Sequence, residues 1–213
     1  MKRRKLWKED TYGSYPVMVN AEQEQFCDEK ILKKIKEQFD YAEKTKSKIW
    51  FMRYDVRFQG EEEGGGRSDN HLFSEFQSKF IKNLTRQQLK PQYVAVREQS
   101  REKHQHYHVA LWLDGQKTQS VHNHIQTAER LWNRSLELPE RANGYGLVDD
   151  CTRSRAGKKQ VNGVMLRKDD PDYESKKDDC FRRASYLAKV NTKADDLNGS
   201  REIMTSRIPK NDK

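Results

Sequence analysis

The stretch "EKHQHYHVALWL", residues 102–113, places histidines at alternate positions and then continues into an apolar segment. Alternation with a period of two is typical of a β-strand, because successive side chains point to opposite faces of a sheet. The stretch "QYVAVRE", residues 92–98, precedes it and is rich in strand-favouring residues. The short polar link between them predicts a hairpin in which His106 and His108 share one face while Tyr107 points to the other.

Elements on both sides of this hairpin predict an α+β fold. "KIWFMRYDVRF", residues 48–58, is rich in aromatic and β-branched residues and predicts a central strand. Helices are expected over 21–44, 70–89, 118–136 and 171–193, and weaker strands over 145–151 and 159–168. This order predicts a central, mainly antiparallel sheet that is flanked by helices.

Length and charge indicate one domain with a polyanionic partner. The 213 residues suffice for a single core, which we expect over 21–195, between a basic extension at 1–20 and a polar tail at 196–213 without assigned structure. The 42 Lys and Arg residues outnumber the 33 Asp and Glu residues, giving a net charge of +9. Such an excess favours binding to a polyanion, for which nucleic acid is the obvious candidate.

Sequence features also favour a cytoplasmic location without a membrane partner. No apolar run approaches the roughly 20 residues of a membrane helix, and no apolar segment follows the basic start "MKRRKLWKED". Cys27, Cys151 and Cys180 lack the spacing of a metal site, so reduced thiols are expected.

The alternating histidines are candidate metal ligands. Two imidazoles alone bind a divalent ion weakly, and a hard oxygen ligand is needed if the ion is Mg²⁺ or Mn²⁺. Glu98 ends the preceding strand, and the hairpin would bring its carboxylate beside His106 and His108. Such a site leaves positions for water and a phosphate oxygen, as metal-assisted phosphoryl transfer requires. The alternative is a solvated polar strand, and the role of His104, in the expected hairpin link, stays open.

A second histidine pair, His122 and His124 in "HNH", is not expected to bind a metal ion. The apolar spacing around it predicts a helix. Residues two apart on a helix point about 200° away from each other, so these imidazoles cannot share one ion.

Tyr186 and Lys189 in "SYLAKVNTK" form a candidate nucleophile and its helper. Residues three apart are neighbours on one helix face. A phenol with a pKa of about 10 is a poor nucleophile at neutral pH unless positive charge stabilises its oxyanion. Lys189 and a metal ion would provide that charge. Arg182 and Arg183 could hold a nucleic-acid backbone. The alternative is an amphipathic helix that Tyr186 merely anchors while the basic residues face solvent.

These motifs resemble those of HUH endonucleases, the rolling-circle replication initiators of plasmids and small phages. The resemblance rests on "HYH" at a strand start, an acidic residue ending the strand before it, and "YLAK" on a late helix. It implies an HUH fold with an RRM-like palm, and an Mg²⁺ or Mn²⁺ ion held by His106, His108 and Glu98. It also implies that Tyr186 attacks a phosphodiester of single-stranded DNA and stays linked to the 5′ phosphate, with Lys189 as helper.

Chain order indicates the subclass. The tyrosine follows the histidines, as in replication initiators and unlike conjugative relaxases. A YxxxY pair is missing, since positions 182 and 190 are Arg and Val, so one nucleophile is expected. Four stretches, "IWFMRYDVRF", "YVAVREQS", "HYHVALWL" and "ASYLAKVNTK", are also similar to filamentous-phage (inovirus) replication-initiator-like proteins of enterobacterial prophages.

The resemblance places Arg53, Asp55 and Arg57 in a first-strand motif. Arg53 and Arg57 could contact DNA there, whereas Asp55 could support either the metal ion or the strand. Trp50 and Trp112 are available to stack on bases, although core packing is the expected use of each.

The function expected from this reading is a sequence-specific nickase and strand-transferase acting on single-stranded DNA at a replication origin or hairpin. No helicase domain is expected to follow, so unwinding and synthesis would fall to a host helicase and polymerase. The alternatives are a single-tyrosine HUH transposase and a catalytically inactive basic DNA-binding regulator.

Overall fold

An antiparallel β-sheet organises the described residues, which are 4–58, 70–100, 103–139, 146–153, 157–190 and 201–209 of this computed structural model. Its helices are α1 (Glu29–Thr45), α2 (His71–Arg86), α3 (Val121–Ser135) and α4 (Tyr173–Ser185), and a 3₁₀ turn, Tyr186–Ala188, follows α4. The strands are β1 (Leu6–Trp7), β2 (Thr11–Tyr12), β3 (Tyr15–Pro16), β4 (Cys27–Asp28), β5 (Lys48–Arg57), β6 (Gln92–Ser100), β7 (Lys103–Asp114), β8 (Val148–Asp149), β9 (Val164–Arg167) and β10 (Ile203–Thr205). Among the described helices, none has the length and apolar content that crossing a bilayer requires. The predicted α+β fold, with an antiparallel sheet flanked by helices, is confirmed.

The main sheet has six strands in the described part of the chain, and β7 lies near its middle. The strands run in the order β10, β6, β7, β5 and β8, and β9 pairs with β5 as well. The predicted hairpin is formed by β6 and β7, in which Glu98 lies opposite His106. On the other side of β7, β5 pairs along its length, with Asp55 opposite His108.

Strand alternation divides the apolar side chains into two cores, one on each face of the sheet. Ala110 and Trp112 of β7 pack with α1 and α4, whereas Val109 and Leu111 pack with α2 and α3. Because His106 and His108 have the parity of Ala110 and Trp112, they lie on the α1/α4 face. That face is therefore apolar at one end and polar at the other, which is where the candidate site lies.

The first helix begins later than the sequence predicts, at Glu29 instead of residue 21. Asp28 caps it, since its Oδ1 accepts hydrogen bonds from the backbone N–H groups of Lys30 at 2.8 Å and Ile31 at 3.3 Å. The preceding residues pair instead, with β4 lying against β1. A local cap and a long-range strand pairing thus override the helical spacing of the earlier residues.

The last helix ends earlier than predicted, at Ser185 instead of residue 193. The Oγ of Ser185 accepts a hydrogen bond from the backbone N–H of Met18 at 2.8 Å and donates one to the carbonyl of Arg182 at 2.7 Å. Beyond the 3₁₀ turn, Lys189 is extended and forms a β-bridge with Cys27. Tertiary pairing therefore turns the chain out of the helix at the candidate nucleophile, and 191–193 lie outside the described residues.

Residues before and after the expected domain, 21–195, belong to the core and to the sheet of that domain. Tyr15 and Val17 are buried in the core formed with α1 and α4. The tail, to which the sequence assigns no structure, contains β10, which pairs with β6 from Ile203 to Thr205. Three residues are too short for a periodic signal, and the pairing covers an edge of β6 that would otherwise be open. The limits 21–195 themselves stay a prediction.

We expect Asp28→Ala to lower the free energy of unfolding by about 1 kcal/mol, because the substitution removes the α1 cap. Asp28→Asn is the control, since it retains a side-chain acceptor and loses only the charge that faces Arg4 at 3.0 Å. Urea denaturation followed by circular dichroism measures both. An equal loss in the two variants would assign the effect to the ion pair instead of the cap.

Candidate active site

Three side chains from the β6–β7 hairpin form a group that could hold a metal ion. The Oε2 of Glu98 lies 3.3 Å from His106 Nε2 and 3.1 Å from His108 Nε2. The ligand atoms of the three residues lie within 4.8 Å of one another. Strand register explains this, because Glu98 lies opposite His106 and His108 is two residues further along the same face.

Asp55 on β5 orients one of the two imidazoles. Its Oδ1 lies 2.6 Å from His108 Nδ1, on the side of the ring away from Glu98. When Nδ1 carries the proton and donates to Asp55, the Nε2 lone pair is free to bind a cation. Of the two roles left open for Asp55 by the sequence, the geometry therefore favours support of a metal ligand.

The charges in this group fit a divalent cation. Burial is the largest influence and acts to raise the pKa of Asp55, but the charge and hydrogen bonding of His108, together with Arg53 and Cys151, outweigh it and the pKa of the carboxyl is lowered. Burial acts to lower the pKa of His108, but Asp55 and Glu98 outweigh it and the pKa of the imidazole is raised. Two carboxylates thus converge on one buried imidazole and favour positive charge there, which a bound metal ion would supply in place of the proton.

Tyr186 lies against the group formed by Glu98, His106 and His108. Its ring meets the His108 ring edge-on, with the centroids 5.2 Å apart and the planes at 89°. Arg53 Cζ lies 4.4 Å from the centre of the Tyr186 ring and Lys189 Nζ lies 5.0 Å from it. Tyr186 and Lys189 are thus neighbours as predicted, although Tyr186 begins a 3₁₀ turn and Lys189 is the extended residue that follows it.

A cleft of about 1080 Å³ opens beside the tyrosine, and the four predicted DNA-binding arginines line it. Arg182 is exposed and Arg183 is partly buried. Arg57 is exposed as well and forms an ion pair with Asp149 at 3.1 Å. Arg53 differs from the others, since it is only 7% exposed and contacts other parts of the protein. The cleft therefore offers Arg57 and Arg182 to an anionic ligand.

Other residues singled out in the sequence lie away from this cleft. His124 is buried on α3 with its Nε2 2.8 Å from the Thr118 hydroxyl, whereas His122 is exposed. Trp50 and Trp112 are buried in the two cores, which agrees with their expected packing role. His104 lies in β7, and its side chain is outside the described structure.

Cys151 is a neighbour of the site that its sequence context does not reveal. It is buried beside the cleft, its thiol donates a hydrogen bond to the Asp149 carbonyl at 3.9 Å, and its presence helps to lower the pKa of the Asp55 carboxyl. Burial raises the pKa of this thiol, so it stays protonated and serves as a donor. An isolated cysteine without a spacing motif carries no signal for such a contact.

Comparison with known proteins identifies a family for this chain. The family model described as the YagK/YfjJ C-terminal domain matches residues 8–200, a span that includes the candidate metal ligands, Tyr186 and Lys189. The chain belongs to this family. No curated protein and no solved structure matches the YagK/YfjJ-type chain at a significant level. The family description specifies no reaction, so a function has to be argued from the geometry of the site.

We expect Glu98→Gln to weaken Mn²⁺ binding by at least about tenfold, equivalent to about 1.4 kcal/mol, because it removes the anionic ligand. Glu75→Gln is the control, since Glu75 is exposed on α2 and pairs with Lys79. Isothermal titration calorimetry measures both affinities. Equal affinities in the two variants would exclude Glu98 as a ligand.

Mn²⁺ binding should tighten as pH rises from about 6 to about 8. The raised pKa of His108 means that its imidazole keeps a proton above its ordinary value of about 6.5, and the ion must displace that proton. Calorimetry in buffers of different ionisation enthalpy measures the protons released. Asp55→Asn should reduce the release near pH 7, because the substitution removes the charge that raises the pKa most. An affinity that is independent of pH would contradict this account.

Proposed function

We propose that the protein is a metal-dependent, sequence-specific nickase and strand-transferase that acts on single-stranded DNA, a one-tyrosine replication initiator of the HUH type. One observation carries this proposal. Tyr186 meets His108 edge-on at 5.2 Å, beside a group of three metal-binding side chains and within one arginine-lined cleft. The proposed nucleophile and the proposed metal site thus line the same cleft.

The proposed reaction is a transesterification. The Tyr186 Oη attacks the phosphorus of one phosphodiester, a bond from oxygen to phosphorus forms, and the bond to the 3′ oxygen breaks. The phenol loses its proton and the departing 3′ oxygen gains one, which leaves a 5′-phosphotyrosine and a free 3′-hydroxyl. Reversal by a 3′-hydroxyl rejoins the strand without ATP, because the phosphodiester energy is kept in the covalent link.

The site residues have separate roles in this proposal. Glu98, His106 and His108 would hold Mg²⁺ or Mn²⁺, which supplies Lewis-acid polarisation of the scissile phosphate when bound. Two imidazoles with one carboxylate suit Mn²⁺ better than Mg²⁺, which prefers oxygen ligands. Lys189, whose Nζ is 5.0 Å from the centre of the Tyr186 ring, provides positive charge close to the developing phosphotyrosine.

Substrate binding is assigned to the exposed arginines of the cleft. Arg182 and Arg57 reach solvent, and guanidinium groups bind phosphates in bidentate geometry. The net charge of +9 adds a long-range attraction for DNA. The proposed setting, by resemblance to prophage-encoded initiators, is the bacterial cytoplasm, with a host helicase and polymerase as partners at an origin or hairpin.

Tyr186→Phe should abolish covalent DNA attachment while leaving most DNA binding intact, because only the attacking oxygen is lost. Tyr93→Phe is the control, a half-buried tyrosine that packs against the α2/α3 core. The assay is incubation with a library of single-stranded DNA and Mn²⁺, followed by denaturing gels and peptide mapping of the linked residue.

Three other outcomes would contradict parts of this proposal. DNA linked to another residue would exclude Tyr186 as the nucleophile. A wild-type protein that binds DNA and forms no covalent product would be an inactive regulator. Excision of hairpin-ended elements would instead indicate a single-tyrosine transposase, which uses the same chemistry.

A further inference from the structure

We propose that Arg53 is a positioning residue for Tyr186 and not a contact to DNA. The inference rests on the proposed function and deepens it. Arg53 lies on the central strand β5 and contacts the turn that carries Tyr186. Its guanidinium holds the phenol against Glu98, His106 and His108 and places positive charge at the face of the phenol ring.

The contacts of Arg53 are directed into the protein. Its Nη1 donates a hydrogen bond to the carbonyl of Arg183 at 3.3 Å, in the last turn of α4. Its Nη2 lies 3.8 Å from the Asp55 carboxylate, and its Cζ lies 4.4 Å from the centre of the Tyr186 ring. One guanidinium therefore contacts the helix end, the nucleophile and the carboxylate that orients His108.

The backbone of Arg53 is itself held in place by a side chain. The residues of β5 before it pair with β9 as far as Phe51, and those after it pair with β8 from Asp55. Between them, the Asn162 amide accepts from the Arg53 N–H at 2.9 Å and donates to the Arg53 carbonyl at 2.7 Å. Asn162 thus replaces the missing strand partner, which fixes the direction of the guanidinium.

Burial argues against a role for Arg53 in DNA contact. The residue is 7% exposed, whereas Arg182 in the same cleft is exposed. The Nε of Arg53 is buried and has no hydrogen-bond partner within the described ranges. A buried donor that is left unsatisfied is a cost to stability, and such costs are typical of functional positions.

The chemistry requires an arginine at this position. A planar guanidinium lies flat on an aromatic face while its edge donates hydrogen bonds, whereas an ammonium is a compact point charge that cannot do both. Stacking by Arg53 therefore fixes the Tyr186 ring edge-on to His108 and places a cation 4.4 Å from the centre of the ring whose oxygen becomes charged.

The decisive experiment separates binding from chemistry in Arg53→Met and Arg53→Lys, with Arg182→Gln as the DNA-contact control. DNA affinity is measured by fluorescence anisotropy without metal, and the single-turnover rate of covalent attachment is measured at saturating DNA with Mn²⁺. We expect Arg53→Met to retain DNA affinity and to lose about 100-fold in rate, as displacement of a reacting group by about 1 Å does. Arg53→Lys should recover only part of that loss.

The control should behave in the opposite way. Arg182→Gln should weaken DNA binding and reduce its salt slope by about one, with little change in the saturated rate. Weakened binding with an unchanged rate in Arg53→Met would overturn the inference. Thermal melting shows whether Arg53→Met is folded. If it is unfolded, the DNA affinity and the saturated rate of Arg53→Lys decide instead.

A spectroscopic readout distinguishes failure of this inference from failure of the proposed function. With 3-fluorotyrosine incorporated in place of Tyr186, Mn²⁺ broadens the fluorine resonance according to its distance from the ion. Arg53→Met should reduce the broadening at saturating Mn²⁺ if Arg53 positions the ring, even if the wild-type protein forms no covalent product. Unchanged broadening in a variant that binds Mn²⁺ normally would overturn the positioning role.

Discussion

The register of β7 between β6 and β5 is the constraint on which the site depends. It places Glu98 opposite His106 and Asp55 opposite His108, so two carboxylates approach the imidazoles from both neighbouring strands. A slip of one residue would turn the histidines toward the apolar α2/α3 core and Tyr107 toward the cleft. Because the apolar α2/α3 core cannot accommodate these histidines, its packing keeps them on the α1/α4 face.

Much of this arrangement could be predicted from local patterns. The hairpin, the shared face of His106 and His108 and the approach of Glu98 follow from a period of two and a short polar link. The pairing of β5 with β7 is long-range, and no local pattern indicates that Asp55 lies behind His108. The same limit applies to the end of α4, where the periodicity continues and a tertiary β-bridge stops the helix.

At the end of α4, the spacing of the sequence and the tertiary contacts favour different backbone structures. The spacing of "YLAK" predicts a helix, whereas the chain forms a 3₁₀ turn there. Lys189 nevertheless lies beside the Tyr186 ring. The predicted proximity of Tyr186 and Lys189 is therefore confirmed, but in a backbone structure other than the predicted helix. Arg53 shows the reverse, since its strand was predicted correctly, while its burial and ring contact arise from packing that the sequence pattern does not encode.

The Asn162 amide that completes β5 at Arg53 lies between the pairing of β5 with β9 and its pairing with β8. In the described part of the segment between β8 and β9, the two hydrogen bonds of this amide join the segment to the backbone of Arg53 through a side chain instead of a strand. Exchanges at Gln160 and Val161, which line the cleft, can therefore change its shape while the pairing of β5 with β7 stays in place. Under the proposed function, such exchanges would alter the nucleotide sequence that the cleft accepts and leave Glu98, His106, His108 and Tyr186 unchanged.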